Sequence, residues 1–219
     1  MPIARDLRRL RRKAVGRLLR LRLIATQSCV TNAPIQEREP GVTYTVIELY
    51  NLWYTFSRSL FLSASFGALD GTGKRVALSA GRRPGSLQEA LTPAVRLNPR
   101  SKNRQPPWTW WDEPRWVRTD VLLGALAAVG ASNRPKVGAA LSAPTKVFDE
   151  LSPFRHFYAH RGRDTAAQLA PLIRARAIPS YLRPTEALLV PAASLGTTRP
   201  QPLLLDWIDD VTNAVLLSV

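Results

Sequence analysis

TYTVIELYNLWYTFSRSLFLSASFG, residues 43–67, decides the fold. It is too long for an ordinary strand, which runs about 3–10 residues. Helix is therefore the reading, with Gly67 as a natural stop. The segment is apolar nearly all round, so it predicts a central, mostly buried helix. Its polar exceptions are Glu48, Asn51, Ser57 and Arg58. Polar groups that become buried need partners, so these residues mark a site, an interface or an exposed edge.

Outward toward the N-terminus, residues 5–30 carry good helix formers and no proline. Leu7, Leu10, Ala14, Leu18, Leu21 and Ala25 recur at three- and four-residue steps, which makes one apolar stripe on a helix. Arginines fill the other faces, either as a solvated surface or as a phosphate-contacting arm. NAPIQEREPG (32–41) predicts a break before the central helix.

Toward the C-terminus, residues 68–107 are rich in Pro, Gly, Arg and Asn, with a turn at DGTGKR and one short helix near 86–91. This is a long basic loop or insertion, too long for a simple connection. WTWWDEPRW (108–116) holds four of the six tryptophans. Such a cluster packs a core or interface, or stacks on bases. Asp112 or Glu113 offers a cap for a helix with Pro114 in its first turn, running to about Val129. Further helices are predicted at 134–142, from a Thr145 cap to Gly162 with a kink or restart at Pro153, at 164–177 with an Asp164 cap, and at the C-terminus. Residues 178–202 are proline-rich, with EALLVP as a candidate strand. The class is all-α: a bundle of about five main helices in one domain over 1–219, with a basic N-terminal helix over 1–31.

Composition sets the chemistry. The chain carries 31 Lys and Arg against 16 Asp and Glu, a net charge of +15. That excess concentrates polyanions such as RNA, DNA or acidic membrane. One cysteine, Cys29, excludes a disulfide framework and a thiolate zinc site within the chain. No apolar run approaches the ~20 residues that span a bilayer. The Arg-rich start imitates a transit peptide, but the reading is a soluble, cytoplasmic protein with no membrane partner.

Both histidines of the chain lie in SPFRHFYAHRGRD (152–164), among Arg155, Arg161 and Arg163. Arginine offers a permanent charge in a fork that matches phosphate. Histidine titrates near neutrality and moves protons. Together they are the minimum equipment for metal-independent RNA cleavage by a 2′-hydroxyl. Arg155 and His160 are five residues apart, roughly 7.5 Å of rise and about 140° of rotation on a regular helix. His156 and His160 share a face, which also suits a shared zinc. HFYAH lacks the internal glutamate of a zinc protease, and only Asp149, Glu150 and Asp164 stand near as third ligands. A basic helix end with histidines capping carbonyls is the plain structural alternative.

FRHFYAHRG resembles the signature of the HEPN superfamily, all-α bundles found as ribonucleases in prokaryotic toxin and defence systems. The shared pattern is an arginine, four to six residues, then a histidine, with a polar residue after the arginine. The resemblance covers about 45–66 and 145–176. It implies Arg155 and His160 as catalytic residues, His156 as the supporting polar group, and an active groove between two motif helices of a homodimer. RNA is then the substrate. Apart from the resemblance, the basic residues Arg161, Arg163, Arg58, Lys102 and Arg104 are the candidates to hold it, with Glu48, Asn51 and Tyr158 as supporting polar groups. No metal or cofactor is implied, and a cognate antitoxin or defence-complex protein is a further expected partner. Some HEPN toxins carry a tyrosine two residues after the histidine, where a partner enzyme adds nucleotides. Gly162 stands there in this chain, which argues against that route of silencing. The alternative is a non-catalytic RNA-binding or assembly subunit.

Overall fold

A computed structural model describes residues 3–30, 32–79, 81, 83–143, 146–179, 182–191 and 201–219. Among these residues the fold is all-α, as the sequence predicts. It has nine helices: α1 Leu7–Val30, α2 Ile35–Ser65, α3 Leu87–Val95, α4 Thr119–Ala128, α5 Arg134–Leu141, α6 Val147–His160, α7 Arg163–Ala175, α8 Pro184–Leu189 and α9 Leu203–Leu217. Five of them (α1, α2, α6, α7 and α9) have 13 residues or more. Only isolated β-bridges occur among the described residues. No helix there is long and apolar enough to cross a membrane.

The chain forms two compact units. The first comprises Met1–Val15, Trp53–Ala143 and Ala214–Val219; the second comprises Gly16–Leu52 and Pro144–Asn213.

In the first unit, Trp53, Phe56, Leu60, Phe61 and Trp116 are fully buried. The Trp53 indole N–H donates to the Val117 carbonyl at 3.0 Å, and Phe61 packs on Trp116 at 5.2 Å between ring centroids. The helix stops as expected. Gly67 takes the left-handed φ of +69°, Gly67 N–H donates to Ala64 O, and Ala68 N–H donates to Ser63 O. That pair of bonds satisfies the last carbonyls of α2.

In the second unit, Glu150 on α6 is 3% exposed and Arg176, just past α7, is 5% exposed. The guanidinium donates to both carboxylate oxygens at 2.8 Å, and the Trp207 indole N–H of α9 donates a third bond at 2.9 Å. Phe154, one turn after Glu150, meets Trp207 edge-on at 5.0 Å. The six stripe residues of α1, spread over the two units, are all buried.

The structure corrects several boundaries. α2 begins at Ile35, not after residue 41, and runs through Pro40. α6 likewise runs unbroken through Pro153. A proline removes one bond to the carbonyl four residues back. Here those carbonyls belong to exposed Gln36 and Asp149, near each helix start, where water can take the bond. α4 begins at Thr119, and neither Asp112 nor Glu113 caps it. Gly162 rather than Asp164 precedes α7, and the Thr165 hydroxyl closes on its N–H and C=O at 3.0 and 2.8 Å. EALLVP is not a strand; Pro184–Leu189 is a short helix, with Glu186 accepting the Arg183 N–H at 2.7 Å. Thr145 lies outside the described residues.

Removing one member of a buried ion pair strands the other charge, which costs about 3–5 kcal/mol. Arg176→Met is therefore expected to destabilise the second unit by that amount in urea unfolding. Glu150→Leu combined with Arg176→Met is expected to recover all but about 1–3 kcal/mol, the cost of the stranded Trp207 N–H.

Candidate functional site

α6 positions the Arg/His motif by its rotational phase. Val147, Leu151, Phe154 and Tyr158 form its buried stripe, and Glu150 points inward with them. At about 100° per residue, Arg155 then falls at the edge of that stripe, while His156 and His160 fall on the outside. Their burial agrees: Arg155 is half-buried and both histidines are exposed.

The two imidazoles meet edge to face, with 4.5 Å between ring centroids and 61° between planes. Arg155 lies with its guanidinium carbon 5.7 Å from the Tyr50 ring centroid on α2, a cation–π contact. Its Nε is buried without a hydrogen-bond partner. Because no restart occurs at Pro153, Arg155 and His160 keep the regular helical separation of about 140°. Within one chain the fold therefore pairs His156 with His160, and Arg155 with Tyr50.

α6 ends one residue earlier than the glycine suggests. Arg161, not Gly162, takes the left-handed conformation, at φ 43° and ψ 39°. Its N–H donates to the Phe157 carbonyl at 2.6 Å. Its side chain pairs with Glu39 and donates to the Thr43 hydroxyl, both at 3.2 Å. Arg163 opens α7 and is exposed.

The other candidates scatter. Glu48 accepts from Arg17 at 2.8 Å and from the Asn51 amide at 3.3 Å. Tyr158 is buried, with its hydroxyl 3.1 Å from the Thr185 hydroxyl, and burial pushes its pKa well above the usual phenol value. It is a neutral packing residue at any working pH. In the first unit, Arg58 forks onto Glu113 at 2.5 and 2.7 Å, and Glu113 also accepts the Trp116 indole N–H at 2.8 Å. Lys102 is exposed, and Arg104 is paired with Asp112. Asp112 is the hub of its loop, also accepting the Thr109 N–H at 2.9 Å, the Thr109 hydroxyl at 2.8 Å and the Ser101 hydroxyl at 3.2 Å.

Among the described residues no three His, Cys, Asp or Glu side chains group as a metal site. Glu150, one of the three candidate third ligands, is committed to Arg176. Cys29 is half-buried, and burial pushes its thiol up to about 11.

The tryptophan cluster divides in two. Trp108 and Trp116 are buried, whereas Trp110 and Trp111 are 64% and 71% exposed and stacked at 3.5 Å between centroids. Sequence reasoning gave no separate role to this exposed pair. The one signal for it was adjacency, since neighbouring side chains in an irregular segment rarely both reach the core. No known protein family, curated protein or solved structure matches the chain.

Two outcomes test these local readings. A left-handed non-glycine residue costs about 1–2 kcal/mol, and an exposed ion pair contributes at most about 1 kcal/mol. Arg161→Gly is thus expected to leave stability within about 1 kcal/mol of wild type, while Arg161→Val loses about 1–2 kcal/mol more; thermal melts read both. The Thr109 N–H, then the Thr109 hydroxyl, hold the Asp112 carboxyl below its ordinary 3.8. A depressed carboxylate stabilises the fold above the unfolded value and stops doing so as pH falls through the folded one. Amide exchange at Thr109, corrected for its intrinsic rate, is expected to accelerate as pH drops below about 3.8. In Asp112→Asn that pH dependence is expected to vanish.

Proposed function

We propose that the chain is a metal-independent endoribonuclease of HEPN type, acting in the cytoplasm of a prokaryote within a toxin–antitoxin or anti-phage system. The observation that carries this reading is α6 itself. One unbroken helix presents both imidazoles outward, sets a half-buried arginine one residue before His156, and is followed directly by Arg161 and, at the start of α7, Arg163.

In this reaction the 2′-oxygen bonds to the adjacent phosphorus and the bond to the 5′-oxygen breaks. A general base takes the 2′-hydroxyl proton and a general acid supplies one to the leaving oxygen, giving a cyclic phosphate and a free 5′-hydroxyl. His160 fills one of these proton-transfer roles. Arg155 answers the charge that builds on the phosphoryl oxygens, where fixed donors matter most. Because one helix holds Arg155 and His160 about 140° apart, the complete set requires two α6 helices facing across a homodimer groove. The net charge of +15 supplies backbone affinity for RNA, with broad rather than tight sequence selection.

The second reading is a non-catalytic RNA-binding or assembly subunit. The Arg155–Tyr50 contact favours it, because a guanidinium laid on an aromatic ring is already employed.

Incubation of the purified protein with total RNA in EDTA separates the two. Degradation with cyclic-phosphate ends supports the nuclease; binding without degradation supports the subunit. His160→Ala is expected to lower the cleavage rate by about 10²–10⁴-fold, the usual worth of a general acid or base, with circular dichroism unchanged. Cleavage by that variant at the wild-type rate refutes the assignment.

A further inference from the structure

We infer that the exposed Trp110–Trp111 pair is the stacking floor of a site for single-stranded nucleic acid, distinct from the α6 motif and independent of cleavage. The pair lines a cleft of about 630 Å³ in the first unit, together with Tyr54, Arg100, Arg115 and Arg118. That volume falls in the range of about 300–1,000 Å³ found for ligand sites.

Three features choose the occupant. First, two indoles stay 64% and 71% exposed while the other four tryptophans of the chain are buried. Large exposed apolar surface of this kind marks a binding site. Second, the loop is built to hold them there. Asp112, directly after Trp111, is pinned by Thr109, Ser101 and Arg104, and Glu113 is pinned by Arg58 and Trp116. The turn that carries the indoles is therefore anchored by its neighbouring carboxylates, and each indole, stacked on the other, presents its outer face. Third, the charge balance of the cleft is positive. Its Glu113 is answered by Arg58 and its Asp120 by Arg118. Arg100 and Arg115 are exposed and paired to no carboxylate among the described residues.

Aromatic faces beside uncompensated guanidinium groups are the pattern that holds unpaired bases and their phosphates. A duplex keeps its bases stacked on one another and offers no face to the shelf. A strand does, whether its sugar is ribose or deoxyribose.

The test is anisotropy titration of labelled oligonucleotides, with tryptophan fluorescence followed in parallel. A 2′-O-methyl oligouridine lacks the attacking hydroxyl, so cleavage plays no part. Oligo(dT), a duplex of equal length and phosphatidylserine vesicles complete the set. Wild type is expected to bind both single strands with quenching of tryptophan emission, and to bind the duplex without it. Trp110→Ala with Trp111→Ala is expected to weaken strand binding at least about tenfold. Both side chains are exposed, so the fold is expected to survive, and circular dichroism checks it. Arg100→Ala with Arg115→Ala is expected to flatten the slope of log affinity against log salt by about 1.4, at ~0.7 per phosphate contact on a single strand. Tighter binding of the 2′-O-methyl strand than of oligo(dT) points to RNA, and equal binding to single strands of either sugar. Strand affinity unchanged in the double tryptophan variant overturns the inference, as does quenching by vesicles and not by strands. Because neither labelled strand carries an attacking 2′-hydroxyl, weakened binding in the double tryptophan variant supports the shelf whether or not the chain cleaves RNA.

Discussion

The burial of the Glu150 charge is tolerated because three donors converge on it: two from Arg176 and one from Trp207. Desolvating a carboxylate and a guanidinium costs several kcal/mol each, so the pair adds little net stability compared with an apolar replacement. What it adds is phase. A carboxylate tied to a fixed guanidinium and a fixed indole cannot rotate out of the core, whereas an apolar stripe alone tolerates slippage around the helix axis. With Glu150 inward, Leu151, Phe154 and Tyr158 must follow it, and His156 and His160 must face out. The exposure of both imidazoles is thus set two turns upstream, by a residue with no chemistry of its own to perform.

The legible parts of the fold were those written in periodicity. The α1 stripe and the nearly all-round apolar character of α2 each predicted burial that the structure has; of the apolar face that spacing gives to α6, Val147, Phe148, Leu151, Phe154 and Tyr158 are buried and Phe157 is only half-buried. Pro40 and Pro153 were misread as breaks, while the helix predicted across Pro171 is present. Four helices carry a proline beyond their first turn, at Pro40, Pro93, Pro153 and Pro171. Sequence shows the missing N–H but not which way the released carbonyl faces. At Pro40 and Pro153 the carbonyl belongs to an exposed residue, so the helix loses one bond and continues. The failed cap at Asp112 has a related cause. Its carboxylate was spoken for by Thr109, Ser101 and Arg104, two of them eight or more residues earlier in the chain.

The candidate site was legible as a motif and not as a geometry. Arg155, His156 and His160 stood out because histidine is so scarce in this chain. Their separation into an outward imidazole pair and an arginine resting on Tyr50 depends on the phase of α6 and on its packing in the second unit. Neither is encoded within the motif. The left-handed Arg161 was hidden for another reason: Gly162 beside it was the better candidate by propensity, and the contacts to Glu39 and Thr43 lie 118 residues or more away in sequence. The exposed Trp110–Trp111 shelf was hidden inside its own cluster, since the same short segment also supplies two core tryptophans.

Cys29 has a practical consequence. It is the sole thiol of the chain, and its burial holds it protonated, up to about 11. Thiolate-seeking dyes and spin labels react only with the ionised form, so burial slows their reaction with Cys29 at neutral pH. A cysteine introduced on an exposed face of α6 is expected to be labelled faster than the native one. Distances between two such probes in solution would report directly whether, and how, two copies of this helix come together.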